Sequence, residues 1–146
     1  MSALDAAAIQ KFLAGKETAV LATVQADGAP LAMAMWFLHD AAALTMLSQA
    51  NTQKVRNLRR DPRVAVVVDS GEEYDQLRGV ELSGRVEFVG EVPRRGELCA
   101  ELDTAETLFA RKNFGLEEMP HDGRHAWARL TPQKIVSWDF SKLGSV

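Results

Sequence analysis

Apolar and polar positions along the chain change their period several times, and each change marks an element. In residues 4–13, Leu4, Ala8, Ile9, Phe12 and Leu13 recur at helical spacing, and Gly15 follows as a stop, which predicts a short opening helix. Residues 18–24 are apolar and β-branched, Asp27-Gly28 is a strong hairpin signal, and residues 30–38 are again apolar, so the first two strands form a hairpin. His39-Asp40 supplies the next turn and residues 43–48 the third strand. A short helix follows over residues 51–60, ended by Asp61-Pro62, because the residue before a proline avoids the helical region.

Residues 64–68 are continuous valine and alanine, which predicts a strand covered on both faces at the centre of the sheet. Residues 80–89 alternate instead: Val80, Leu82, Gly84, Val86 and Phe88 on one face, Glu81, Ser83, Arg85 and Glu87 on the other, with Gly84 a bulge or a point of close approach. Pro93 is suited to start a third helix, on which Leu98, Leu102, Ala105, Leu108 and Phe109 form one apolar stripe. A loop rich in Gly and Pro over residues 113–124 precedes a last extended segment, 126–138, broken near Pro132. The order helix, three strands, helix, two strands, helix, strand predicts a mainly β fold with flanking helices: a small antiparallel barrel whose helices cover its open ends.

The junction between the third strand and the second helix carries the clearest chemistry. A helix start exposes unpaired N–H groups and the positive end of the helix dipole, which together can hold a phosphate. Asn51 or Thr52 can cap this helix, and Lys54 falls in its first turn. A cation there opposes the dipole, so Lys54 implies an expected anion; the alternative is that Lys54, Arg56, Arg59 and Arg60 form a solvated face.

The remaining totals narrow the partners. With 146 residues the chain suits one domain, residues 1–146. Its net charge of −3 does not favour nucleic acid, which needs a basic face. No apolar run is long enough to span a membrane, and the first residues are too polar for a signal peptide, so a cytoplasmic protein is expected. Cys99 is the single cysteine, and His39, His121 and His125 lack metal-ligand spacing; no metal is expected, and the histidines read as surface or turn residues.

The segments AVLATVQADGAPLAMAMWF, LTMLSQANTQKVRNLRRDPRVAVVV, VELSGRVEFV and KIVSWDF resemble the FMN-binding split-barrel superfamily, that of pyridoxamine 5′-phosphate oxidase-like flavin and deazaflavin proteins. The resemblance runs from about Phe12 to Phe140. It implies a split β-barrel of antiparallel Greek-key type, and a homodimer with a flavin in each groove between the subunits. Carried onto this chain, Met33, Ala34, Met35 and Trp36 of the second strand would line the isoalloxazine ring. Leu47 and Ser48 would lie near the ribityl chain, and Thr52, Gln53 and Lys54 would hold the phosphate. Arg78 and Trp138 would close the pocket from the other subunit.

Two departures from the vitamin-making oxidases are visible. Ala32 and Gln53 stand where those enzymes carry arginines, and their C-terminal Arg-x-His element is absent from QKIVSWDFSKLGSV. Oxidation of pyridoxamine 5′-phosphate is therefore not expected. No set of catalytic acid, base or nucleophile is legible, which suits flavin chemistry, because the cofactor carries the hydride. The resulting expectation is an FMN-dependent oxidoreductase of a small-molecule substrate. The alternatives are the same chemistry with the deazaflavin F420, whose acidic tail Arg56, Arg59, Arg60 and Arg63 would meet, and a non-catalytic binder of flavin or haem.

Overall fold

The computed structural model describes residues 3–40 and 43–143. Its elements follow the expected order: α1 (Ala6–Ala14), β1 (Thr18–Val24), β2 (Pro30–Asp40), β3 (Ala43–Gln49), α2 (Gln53–Arg60), β4 (Arg63–Ser70), β5 (Arg78–Val89), α3 (Ala100–Phe109) and β6 (His125–Asp139). Six antiparallel strands close into a barrel in the order β1-β2-β3-β6-β5-β4. The closure joins β1 to β4, with Val20, Leu21 and Ala22 opposite Val67, Val66 and Ala65.

Strand periodicity sorts the side chains into two cores. Leu21, Met35, Phe37, Leu44, Met46, Val66, Leu82 and Leu130 fill the barrel interior, and Phe12 and Leu13 of α1 join them at one end. Asp5 caps α1 by accepting from the Ala8 amide at 2.8 Å, and Gly15 ends it. A second core lies outside the barrel wall, where Leu102, Ala105 and Phe109 of α3 pack on Leu38, Val89 and Trp127. Thus α3 covers a side of the barrel, where a cover for an open end was expected. Burying each of these large side chains contributes about 1.5–3 kcal/mol.

Four local expectations are corrected. His39 and Asp40 are still in β2 and make no turn; the connection passes through residues 41 and 42, outside the described residues. Strand β4 is not covered on both faces: Val64, Val66 and Val68 are buried, whereas Ala65 and Val67 are only half-buried on the outer wall. Its unbroken apolar run reflects an outer face that is apolar as well.

Pro93 does not begin a helix, and Leu98 leaves the apolar stripe with 97% of its surface exposed. The physical reason is Arg94. Its guanidinium binds the Glu91 carboxylate, the Glu97 carbonyl and Glu106, which holds residues 91–99 as a loop. The helix starts only at Ala100, where Glu101 and Asp103 suit the positive pole. Beyond Phe109, α3 widens into a π-helical turn, Ala110–Phe114, within the stretch partly expected as loop.

The bulge expected at Gly84 is present. Gly84 pairs with Pro132 and Ser83 with Lys134, so Gln133 is the extra residue, and β6 passes Pro132 without ending. A Cβ on Gly84 would stand 2.9 Å from the Thr131 carbonyl oxygen.

Candidate functional site

The barrel is split on one side. Strands β2 and β3 pair only where Phe37 to Asp40 face Met46 to Ala43. Before Phe37, β2 pairs with β1 alone; after Met46, β3 pairs with β6 alone. Between the parted ends, the edge of β2 over residues 33–36 that faces away from β1 and the edge of β3 over residues 47–49 that faces away from β6 have no neighbouring strand, which leaves the main-chain N–H and C=O groups on those two edges without a ladder partner. A flat heterocycle with hydrogen-bonding edges can use such groups without any particular side chain.

A cavity of about 760 Å³ opens at this split. Met33, Ala34, Met35 and Trp36 line one side, and Leu47, Ser48, Thr52 and Lys54 line the strand-to-helix junction. The structure therefore brings eight of the eleven sequence-predicted site residues to one concave surface. Gln53 is not on it: its amide donates to Asn57 at 2.8 Å, and its carbonyl accepts from Arg56. Arg78 and Trp138 lie elsewhere on the barrel. Arg78 stacks over Phe12, and Trp138 lies over Gly79, its partner across the β5–β6 ladder.

The junction has the geometry expected of an anion site. Thr52, not Asn51, caps α2: its hydroxyl accepts from the Val55 amide at 3.4 Å and donates to the Gln49 carbonyl at 3.0 Å. Lys54, two residues on, is only 7% exposed. Among the described residues no carboxylate and no hydrogen-bond acceptor contacts its ammonium. Burial alone lowers its pKa from the ordinary lysine value. A buried cation is normally compensated, so an unpaired one beside a cavity calls for an anion from outside the chain.

The other cations of α2 and its exit are already engaged. Arg60 donates to the Val24 carbonyl, Arg63 is paired with Asp61 at 2.7 Å, and Arg56 bonds Asn51 and Gln53. Arg59 is different. With Arg124 it lines a neighbouring groove of about 600 Å³, which meets the main cavity at Gln49.

The far wall holds residues that sequence reading missed. Phe114 of the π-helical turn packs edge-on against Trp36, with ring centroids 5.6 Å apart, and against Phe109 at 6.0 Å. Lys112 ties this turn to β2 by donating to the Phe37 carbonyl at 3.0 Å. Behind Phe109, Trp127 donates its indole N–H to Glu106 at 2.9 Å.

Glu106 is the hub of a buried polar network. It accepts from Arg94 Nε at 3.1 Å, from Arg94 Nη2 at 2.9 Å and from His121 Nε2 at 2.8 Å, besides the indole. Burial acts to raise its pKa, but the hydrogen bonds from Arg94, His121 and Trp127 outweigh it, and the carboxyl stays below its usual value. A second pair stands on the same wall, where His125 Nδ1 lies 2.6 Å from Asp122 Oδ2. His121 and His125, read from the sequence as surface or turn residues, both border the cavity. The one sequence signal was Asp122-Gly123-Arg124-His125, in which a glycine turn returns a histidine to an aspartate three residues earlier.

The comparisons agree with this geometry. A family model described as pyridoxamine 5′-phosphate oxidase matches residues 6–139. No curated protein matches the sequence. Among solved structures, a conserved hypothetical protein of Mycobacterium tuberculosis, Rv2991, is 29% identical with a TM-score of 0.80, over 98% of this chain and 89% of that one. A protein described as an F420 reductase is 27% identical with a TM-score of 0.65, over 86% of this chain and 94% of that one. The haem storage protein HutZ of Vibrio cholerae, 22% identical with a TM-score of 0.65 over 88% of this chain and 92% of that one, shares the fold.

Proposed function

The chain belongs to the pyridoxamine 5′-phosphate oxidase family, and on that premise we propose that it is a flavin-dependent oxidoreductase of a small molecule, binding FMN in a cleft completed by a second copy of the chain. The observation that carries this reading is Lys54: a buried ammonium without an acid partner among the described residues, in the first turn of a capped helix, at the edge of a cavity. Thr52 and Ser48 add hydroxyls there, and the start of α2 adds amide donors. The unpaired strand edges around Ala34, Met35 and Leu47 would face the ring, and Trp36, Met33 and Phe114 would supply apolar cover. Bound flavin would supply hydride transfer; the residues bind it, orient it and exclude water.

The outer wall supports the second copy. Reading across the ladders, Ala34, Val20 and Val67 form one outward row, and Ala32, Ala22 and Ala65 the next. Val136 continues the first row beyond Glu81. This surface is apolar, uncharged over three strands and made of small side chains, which suits a two-fold contact between identical walls. A partner there would bring its own Arg78 and Trp138 toward the split, as the resemblance implies.

Pyridoxamine 5′-phosphate is not the proposed substrate, since Ala32 and Gln53 stand in place of arginines and residues 133–146 contain no Arg-x-His element. One observation favours F420 as a second reading for the cofactor: the groove of Arg59 and Arg124 continues the cavity past Gln49 and has no carboxylate in its lining. A longer anionic tail would reach it, whereas the phosphate of FMN would be held at Lys54. Titrating the purified protein with FMN and with F420 decides between them. Binding of neither would reject both.

A further inference from the structure

We propose that His125 is a second cationic contact for the anion held by Lys54, so that anion binding at this site strengthens as the pH falls. The inference rests on the reading that Lys54 receives an anion and adds a residue that neither the family resemblance nor the sequence pattern assigns.

The position follows from the ladder. His125 opens β6 directly opposite Gln49, the last residue of β3. Paired residues on neighbouring strands project to the same face, so the imidazole stands beside the Gln49 side chain. The Gln49 carbonyl accepts from Thr52, the residue that caps α2 and precedes Lys54 by two. His125, Gln49, Thr52 and Lys54 accordingly border one cavity.

The hydrogen bonds of Asp122 determine which ring nitrogen meets a ligand. Asp122 Oδ1 accepts from the amides of Arg124 at 2.8 Å and His125 at 3.2 Å, which fixes the carboxylate. These bonds, the Arg124 amide first, keep Asp122 below its ordinary pKa and therefore ionised. An ionised carboxylate only accepts, so the Nδ1 of His125, 2.6 Å from Oδ2, must donate. Nε2 is then the ring nitrogen free to meet a ligand. In the neutral ring Nε2 carries a lone pair, which repels an anion; in the protonated ring it carries N–H and a share of positive charge. Protonation thus reverses the polarity of this contact.

The charged groups around the ring are Asp122 and Arg124 on its own loop, 3.9 Å apart, and Lys54 on α2 across the cavity. Across the cavity, Arg94 is compensated by Glu91 and Glu106, and His121 is bonded to Glu106. An arriving anion neutralises Lys54 and draws a proton onto His125, so binding and protonation are linked. An imidazole changes charge between about pH 5 and 8, which places the effect in an accessible range.

Inorganic sulfate is the suitable probe, because it does not itself titrate in this range. Isothermal titration of the full chain at pH 5.5 and pH 7.5, below the range in which Lys54 would lose its charge, is expected to show affinity about tenfold higher at the lower pH, with proton uptake in buffers of different ionisation heat. His125→Gln should bind at both pH values with the weaker affinity and no proton uptake, while His121→Gln should keep the dependence. If wild-type affinity is the same at both pH values, or His125→Gln keeps the dependence, the assignment of His125 is overturned while the Lys54 site stands. If neither sulfate nor FMN binds at either pH, the Lys54 site fails and His125 with it. A circular dichroism spectrum identical to wild type checks that each variant folds, and Asp122→Asn, which frees the ring, should reduce the dependence independently.

Discussion

Arg94 and Glu106 meet through two parallel hydrogen bonds inside the cavity wall, Nε to Oε2 at 3.1 Å and Nη2 to Oε1 at 2.9 Å. The pair joins the loop before α3 to the helix itself, and through Trp127 and His121 it reaches β6 and the loop ahead of it. It therefore sets the shape of the far wall.

Glu106→Gln should lower stability by about 3 kcal/mol, since removing one partner of a buried pair strands the other charge, here partly retained by Glu91. The effect depends on pH in a defined direction. The folded carboxyl titrates below its unfolded value, so its contribution is complete above the ordinary carboxylate range and disappears as the pH falls through the lowered folded value. Melting temperatures of wild type and variant should converge in acid; a constant gap would contradict the account.

Lys54→Met should separate binding from folding. It removes the charge that meets the phosphate, so FMN affinity should drop tenfold or more, about 1.4 kcal/mol or greater. It also removes an uncompensated buried ammonium, so the ligand-free protein should be as stable as wild type or more so. Denaturant unfolding and a flavin fluorescence titration on the same sample measure the two effects; a destabilised variant with unchanged affinity would sink the anion site.

Gly79→Ala tests the seat of Trp138. A Cβ at position 79 would lie 2.2 Å from the indole, so the ring must leave its place across the ladder. Overpacking of this kind costs about 1–3 kcal/mol, and indole fluorescence should shift with it. If Trp138 completes a partner's cleft, the variant should also lose flavin affinity, and equilibrium titration reads that directly.

Val20→Glu probes the outer wall. Val20 is 44% exposed in one chain, so a carboxylate there should leave the fold intact. In a two-fold contact the substituted wall would meet its own copy, charge against charge. Sedimentation velocity should show monomers, with flavin affinity reduced in parallel; unchanged association would place the interface elsewhere.

The strands were legible because a barrel wall favours apolar and polar alternation, and the Val80, Leu82, Val86 series of β5 displays it openly. The strand-to-helix junction was legible too, since Thr52 caps α2 and Lys54 lies in its first turn, all within a few residues of sequence. What escaped depends on contacts distant along the chain. Arg94 unmakes the helix expected at Pro93 only because Glu106 lies twelve residues ahead in sequence yet beside it in space. His125 acquires a direction only from Asp122, and its place by the cavity only from pairing with Gln49. The outward valines looked like a doubly covered strand because an apolar outer wall and a buried one have the same composition.

The parting of β2 from β3 also bears on how such a barrel diversifies. Where recognition is assigned to peptide groups along two strand edges, almost any residue can occupy those positions without abolishing it. Substitutions at the rim, in the groove of Arg59 and Arg124 and in the loop ahead of β6 would then alter the chemistry while leaving the interior packing of the barrel in place.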